Sequence, residues 1–95
     1  MFARVSRYEV PFDKLAEDID GVDETAQKVA GIPGSLGLYY LVDKDTGMTM
    51  SMTLWKDEQA MRDSEAAADE LRAETSSAVS GRITSVERYE VVTHP

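Results

Sequence analysis

Residues 48–55 read Met-Thr-Met-Ser-Met-Thr-Leu-Trp, a strict alternation of side-chain type. Successive side chains of a strand point to opposite faces, so Met48, Met50, Met52 and Leu54 share one wholly apolar face. Thr49, Ser51, Thr53 and Trp55 share the other. The alternation stops at Trp55, the only tryptophan, and Lys56-Asp57 follows. Asp57 suits a helix N-cap, because its carboxylate can accept from free backbone N–H groups of the first turn. The period beyond it is helical. A strand that ends in a large aromatic side chain and turns at once into a helix leaves few arrangements for the remaining elements.

Residues 3–10 form an expected first strand, with a slip in the alternation between Val5 and Tyr8 that would suit a bulge. Pro11 ends it, and Asp13 is placed to cap a helix over residues 14–30. Leu15, Ile19, Val22, Ala26 and Val29 make the apolar stripe of that helix. Gly21 invites a bend. Glu17, Asp18, Asp20, Asp23 and Glu24 lie mostly off the stripe, and a solvated face accounts for them better than a cation site, since their spacing does not make a calcium loop. Gly31 stands where a C-cap belongs, and Pro33-Gly34 completes the turn.

Residues 35–43 read as a second strand that is apolar on both faces. The polar turn Asp43-Lys-Asp-Thr-Gly47 joins it to the methionine strand as an antiparallel hairpin. A second helix is expected from about Glu58 to Ser76, with Ala60, Ser64, Ala67 and Leu71 on one face and Met61 and Ala68 beside it. Residues 82–93 complete the set as a strand with Ile83, Tyr89 and Val91 on one face and Val86 and Val92 on the other. Arg88-Tyr-Glu-Val91 repeats Arg7-Tyr-Glu-Val10, a match of four residues that fits similar strand environments.

The order β-α-β-β-α-β predicts a ferredoxin-like α+β fold: a four-stranded antiparallel sheet with the helices on one face. All 95 residues fit one domain. The helices cover one face only, while the strands are apolar on both. A second copy packed sheet to sheet, a two-fold homodimer, is the simplest cover.

Charge and composition narrow the partners. Eighteen acidic against ten basic residues leave a formal charge of -8, which repels nucleic acid and anionic membrane surfaces. There is no cysteine, and the one histidine, His94, is next to the last residue, so neither a thiolate nor a histidine-rich metal site is expected. Tyr8, Tyr39, Tyr40 and Tyr89 are strand aromatics expected to pack and reach solvent, although one of their hydroxyls could donate to a substrate oxygen. Glu65 and Glu70 are expected on a helix surface. No stretch approaches a membrane span, and the opening residues lack the apolar core of a signal peptide, so the cytoplasm is the expected location.

The strand end Thr53-Leu-Trp-Lys-Asp-Glu-Gln-Ala-Met61, preceded by Gly31-Ile-Pro-Gly34 and a hairpin, resembles the antibiotic biosynthesis monooxygenase (ABM) domain superfamily, dimeric α+β barrels made of two ferredoxin-like sheets. The resemblance implies a small-molecule pocket between sheet and helices. Some members oxidise polycyclic aromatic compounds with molecular oxygen and without metal or flavin. Others degrade heme with a ligating histidine on the second helix, which this chain lacks. It implies Trp55 as the pocket tryptophan and a first-strand polar position on or near Ser6, where members often carry asparagine; Trp55 also reads as a core anchor that locks the second helix to the sheet, and Tyr8, Tyr40 and Met61 are candidate substrate contacts. The implied activity is cofactor-independent oxygenation of a flat apolar aromatic compound of polyketide type. The other reading is a non-catalytic dimeric domain that binds a small molecule or serves as an accessory protein.

Overall fold

A computed structural model describes residues 1–11, 19–78 and 81–95. The elements run β1 (Phe2–Glu9), α1 (Ile19–Ala30), β2 (Ser35–Val42), β3 (Met48–Trp55), α2 (Glu58–Asp63), α3 (Glu65–Ala78) and β4 (Arg82–Glu90). The strands form one antiparallel sheet in the order β2-β3-β1-β4. This is the ferredoxin-like arrangement, with the second helix in two pieces.

The expected Asp13 cap and Leu15 lie outside the described residues, as does the side chain of Ile19. From Ile19 onward α1 is continuous through Gly21, so the glycine does not break the helix. Its buried side chains are Val22, Thr25 and Val29. Thr25 sits deeper than Ala26, which places the centre of the stripe one residue earlier than the apolar pattern suggested.

The turn into β2 depends on Gly34 rather than Gly31. Gly34 has φ +82°, a left-handed conformation that costs an L side chain energy. A Cβ there would lie 2.5 Å from the Ala60 Cβ. The Gly34 carbonyl accepts from Lys56 N–H at 2.9 Å. The start of β2 is thus clamped against the β3–α2 corner.

That corner is built as the residues dictate. Asp57 is extended, and its Oδ1 accepts from Ala60 N–H at 2.8 Å. In the hairpin turn, Asp43 Oδ1 accepts from Asp45 N–H at 2.9 Å, and Gly47 takes φ +78°.

Two irregularities shift side chains between faces. β1 alternates regularly, and the extra residue falls in β4: Arg7 pairs with Ser85 and Tyr8 with Ile83, so Thr84 is the bulge. Its hydroxyl donates to the Arg7 carbonyl at 3.3 Å. Ile83 therefore shares the Tyr8 face, opposite to Tyr89 rather than alongside it. A second slip between Ser35 and Gly37 leaves Leu36 unpaired and exposed. β4 ends at Glu90, so Val91 and Val92 belong to the tail.

The two Arg-Tyr-Glu-Val segments sit on adjacent strands but are not equivalent. Tyr8 is fully buried beneath the helices, whereas Tyr89 lies half-exposed on the open face. The registers place Met48, Met50, Met52 and Leu54 on that open face, with Tyr39 and Leu41 beside them. The Thr, Ser and Trp side of β3 faces the helices and is buried.

Gly34→Ala combines positive φ with a steric conflict and should destabilise the fold by about 1–3 kcal/mol. Urea unfolding measures it; an unchanged midpoint would show that the turn is not fixed as described.

Candidate functional site

The inward face of the sheet is unusually polar. Arg4, Ser6 and Tyr8 come from β1, and Thr49, Ser51, Thr53 and Trp55 come from β3. All seven are buried. Alternation forces them onto one side, since the methionines take the other.

The aromatic residues there are anchored first as core. Trp55 is 0% exposed and packs with Ala60, Met61, Phe2 and Ile32. Its Nε1–H donates to Thr53 Oγ1 at 3.0 Å, so the indole is satisfied within its own strand. Tyr8 packs with Val10 and Val22 and stacks tilted against Tyr40, with ring centroids 6.3 Å apart. Its hydroxyl shares a hydrogen bond with Ser51 Oγ at 3.1 Å. Burial pushes the Tyr8 hydroxyl above its ordinary pKa, with the Ser51 hydrogen bond opposing, so the group stays neutral.

Arg4 is the least expected member. A guanidinium 2% exposed is expensive unless it is paired. Its Nη2 donates to the Met61 carbonyl at 2.7 Å and to Ser64 Oγ at 3.2 Å, and lies 3.0 Å from Glu65 Oε1. Its Cζ stands 5.5 Å from the Trp55 ring centroid, within cation–π range. Burial lowers the Arg4 pKa from its ordinary value and Glu65 opposes this, so the charge is retained.

This contact explains why the second helix is broken. In a continuous helix the Met61 carbonyl would accept from the N–H four residues on. Here it accepts from Arg4 and from Ser64 Oγ, the latter at 2.7 Å. Side chains inserted into the backbone ladder interrupt or bend a helix. After the break α3 presents Ala68, Leu71 and Arg72 toward the sheet, while Ala67 is exposed, contrary to the expected face.

Arg72 approaches the same interior from α3. Its Nε donates to Ser6 Oγ at 3.1 Å and its Nη1 to Asp69 Oδ1 at 2.6 Å. Beyond Arg4, Glu65 is clamped by Arg88 through two hydrogen bonds of 2.7 and 2.9 Å. The Arg88 hydrogen bonds, followed by the Arg4 charge, hold the Glu65 carboxyl down to about 2.

These groups enclose a cavity of about 20 Å³ between sheet and helices. That is room for one water-sized occupant. Ser6, Tyr8 and Trp55, three of the five candidates, line it together with Arg4, Ser51 and Arg72. Tyr40 and Met61 stand one layer back, Tyr40 against Tyr8 and Met61 against Trp55. The two arginines and the strand-3 hydroxyls escaped the sequence reading. Parity was the available signal, since Arg4 shares the phase of Ser6 and Tyr8. Among the described residues no group of three His, Cys, Asp or Glu side chains could hold a metal ion. No helix among them is long and apolar enough to cross a membrane.

No protein-family model and no curated protein matches the chain. Solved structures do match. One is a Deinococcus radiodurans protein provisionally assigned as an antibiotic biosynthesis monooxygenase. It superposes with a TM-score of 0.73 at 14% identity, over 100% of this chain and 96% of that one. Another is SnoaB, a cofactor-independent oxygenase from Streptomyces nogalater, with a TM-score of 0.68 at 16% identity over 98% and 94% of the two chains.

The chain shares the fold of these structures.

A third structure of the same fold, NE2512 from Nitrosomonas europaea, is of unknown function; its TM-score is 0.69 at 16% identity, over 99% of this chain and 91% of that one. At these identities the likeness establishes architecture, and the ABM fold explains why the interior lies between one sheet face and the helices.

Glu65 supplies a pH test. Its folded pKa lies below the ordinary value of 4.5, so its contribution to stability is present above about 4.5 and is lost as pH falls toward 2. The parent protein should therefore exceed Glu65→Gln in urea midpoint at pH 6. The gap should narrow by pH 3; a constant gap would remove the assigned ion pair from the stability of the site.

Proposed function

We propose that the chain is a dimeric ABM-type oxygenase that oxidises a flat, electron-rich aromatic compound with molecular oxygen and no cofactor. The observation that carries the reading is the convergence of Ser6, Tyr8, Trp55 and the buried Arg4 on one interior between sheet and helices. The ABM fold, shared with a cofactor-independent oxygenase, supports it.

The chemistry needs little from the protein. An anthrone-type substrate has an acidic CH₂ group between aromatic rings. Loss of a proton gives a delocalised anion that can pass an electron to oxygen. Converting the CH₂ to a carbonyl releases four electrons. They reduce one O₂, whose atoms end in the new carbonyl and in one water. All electrons come from the substrate, so no external reductant is consumed. The protein's part is to hold the ring dry, orient it and stabilise negative charge. Trp55 and Tyr8 are the ring-contacting walls. Ser6 and the neutral Tyr8 hydroxyl are hydrogen-bond donors to a substrate oxygen.

Entry of an aromatic ring requires side chains to move, because 20 Å³ does not hold one. Leu71 and Arg72 on α3 are partly exposed wall residues, as are Ile32, Leu38 and Ala68. The same small volume favours the second reading, a non-catalytic dimeric binding or accessory domain. Oxygen uptake separates the two. With an anthrone and quinol panel, one O₂ should be consumed per substrate oxidised, and Trp55→Phe should lower the rate at least tenfold while the fold survives. Uptake no faster than autoxidation would leave the binding domain as the better account.

The homodimer is part of the proposal. Tyr39, Leu41, Met48 and Tyr89 are each at least 40% exposed on the open sheet face. A contiguous apolar face of this kind normally meets a partner. Charges there are already matched, since Arg7 Nε donates to Glu87 Oε1 at 2.6 Å. Native mass spectrometry should give twice the chain mass, and Met52→Asp should give monomers. A parent protein that is monomeric at micromolar concentration would exclude the sheet-to-sheet dimer.

A further inference from the structure

We propose that the interior is an oxyanion site, in which Arg4 and Arg72 take the carboxylate or phenolate of an aromatic ligand. The inference rests on the cavity being the ligand site, as in the proposed function, but not on oxygenase chemistry.

The first observation is unused donor capacity. Arg4 Nε and Nη1 and Arg72 Nη2 are buried and have no hydrogen-bond partner. Arg4 spends Nη2 on Met61, Ser64 and Glu65 and leaves its other nitrogens uncommitted. Unpaired buried donors of a charged group are costly, and native proteins rarely leave three around one cavity without use. A guanidinium presents its N–H groups as a planar fork that matches an oxyanion.

The second observation is their convergence. Both side chains line the same cavity, although Arg4 comes from β1 and Arg72 from α3. Ser6 links them: it lies two residues along β1 from Arg4, on the same face, and accepts from Arg72 Nε. Two strand residues span about 7 Å, so the Ser6 hydroxyl that Arg72 reaches neighbours Arg4 on one face, and the Arg72 charge is felt at Arg4.

The third is local charge. Arg4, Arg72 and Arg88 face Glu65 and Asp69, three cations against two carboxylates among the described residues. Asp69 is well exposed, so water screens its compensation of Arg72. A chain with a formal charge of -8 has thus concentrated positive charge at this polar interior. The cavity volume of about 20 Å³ admits one oxyanion oxygen, and side chains must move to admit the rest of the charged group and its ring.

The probe is 2-naphthoate, with neutral 2-naphthalenemethanol and ring-free acetate as controls. Trp55, the only tryptophan, lines the cavity and reports binding by fluorescence. The intact protein should bind naphthoate at least tenfold more tightly than either control. Arg72→Gln should remove the preference over the alcohol, and Arg72→Lys should restore part of it. Arg4→Gln is a second variant, read only if its circular dichroism matches the parent.

Equal affinity for acid and alcohol would overturn the proposal, as would no naphthoate binding up to millimolar concentration. Acetate binding as tightly as naphthoate would overturn the aromatic part. Charge-selective binding without oxygen uptake would support this site while removing the oxygenase, and uptake with no charge preference would do the reverse.

Discussion

The buried guanidinium of Arg4 ties together parts of the chain that local sequence keeps apart. It leaves β1, reaches across the Trp55 indole and donates into the backbone of α2 at Met61. Removing such a charge from water costs several kcal/mol, so it persists only where partners are fixed. Those partners fix the architecture in return. The Met61 carbonyl leaves the helical ladder, the helix breaks at Ser64, and Arg72 of α3 reaches Ser6. Glu65 then sits between Arg4 and Arg88, which binds the start of α3 to β4. Without Arg4, neither the helix break nor the cavity behind it has a cause.

This interior has a counterpart on the other side of the sheet. Thr, Ser and Arg side chains face the helices, whereas the Met stripe with Tyr39, Leu41 and Tyr89 faces outward. Hydrophobic burial alone would have turned the methionines in. The helices can cover a polar face because its groups answer one another: Tyr8 with Ser51, Trp55 with Thr53, Arg72 with Ser6. The apolar face then needs cover from elsewhere. On the dimeric reading, each copy supplies the apolar lid that its own helices do not.

Local chemistry made much of this fold legible. The strict alternation of residues 48–55 set β3, and Asp57 marked the start of α2, where its carboxylate does cap. The element order and the ABM resemblance followed from these, and both agree with the structure. What escaped was set by long-range contacts. The break at Ser64 has no local breaker, since neither Gly nor Pro is nearby; it comes from a residue sixty positions earlier. The bulge at Thr84 moved Ile83 to the other face, and a period-two reading of β4 cannot register an inserted residue. Of the site, Ser6 and Trp55 were visible from resemblance and Tyr8 as a strand aromatic, and all three line the cavity. Arg4 was hidden by its charge. An arginine in an outer strand reads as solvent-facing, and only its phase with Ser6 and Tyr8 argues otherwise.

The absence of a convincing base in the cavity bears on how a substrate could lose a proton there. Glu65, the carboxylate paired with Arg4, is held at about 2 by Arg88 and Arg4 and is a poor proton acceptor. A positively charged site can reach the same end by making the substrate more acidic. One unit charge about 4 Å from an oxyanion, at an effective dielectric near 20, is worth about 4 kcal/mol. At about 1.4 kcal/mol per pKa unit, even half of that would lower a phenol by more than one unit, toward neutrality. Arg72, whose carboxylate partner is exposed, has the less neutralised charge of the two arginines and is the better source of this field. The positive charge at this interior would then do the work of a base by stabilising the anion that reacts with oxygen, and a chain with no cysteine and its one histidine in the exposed tail would still have a route to oxidation.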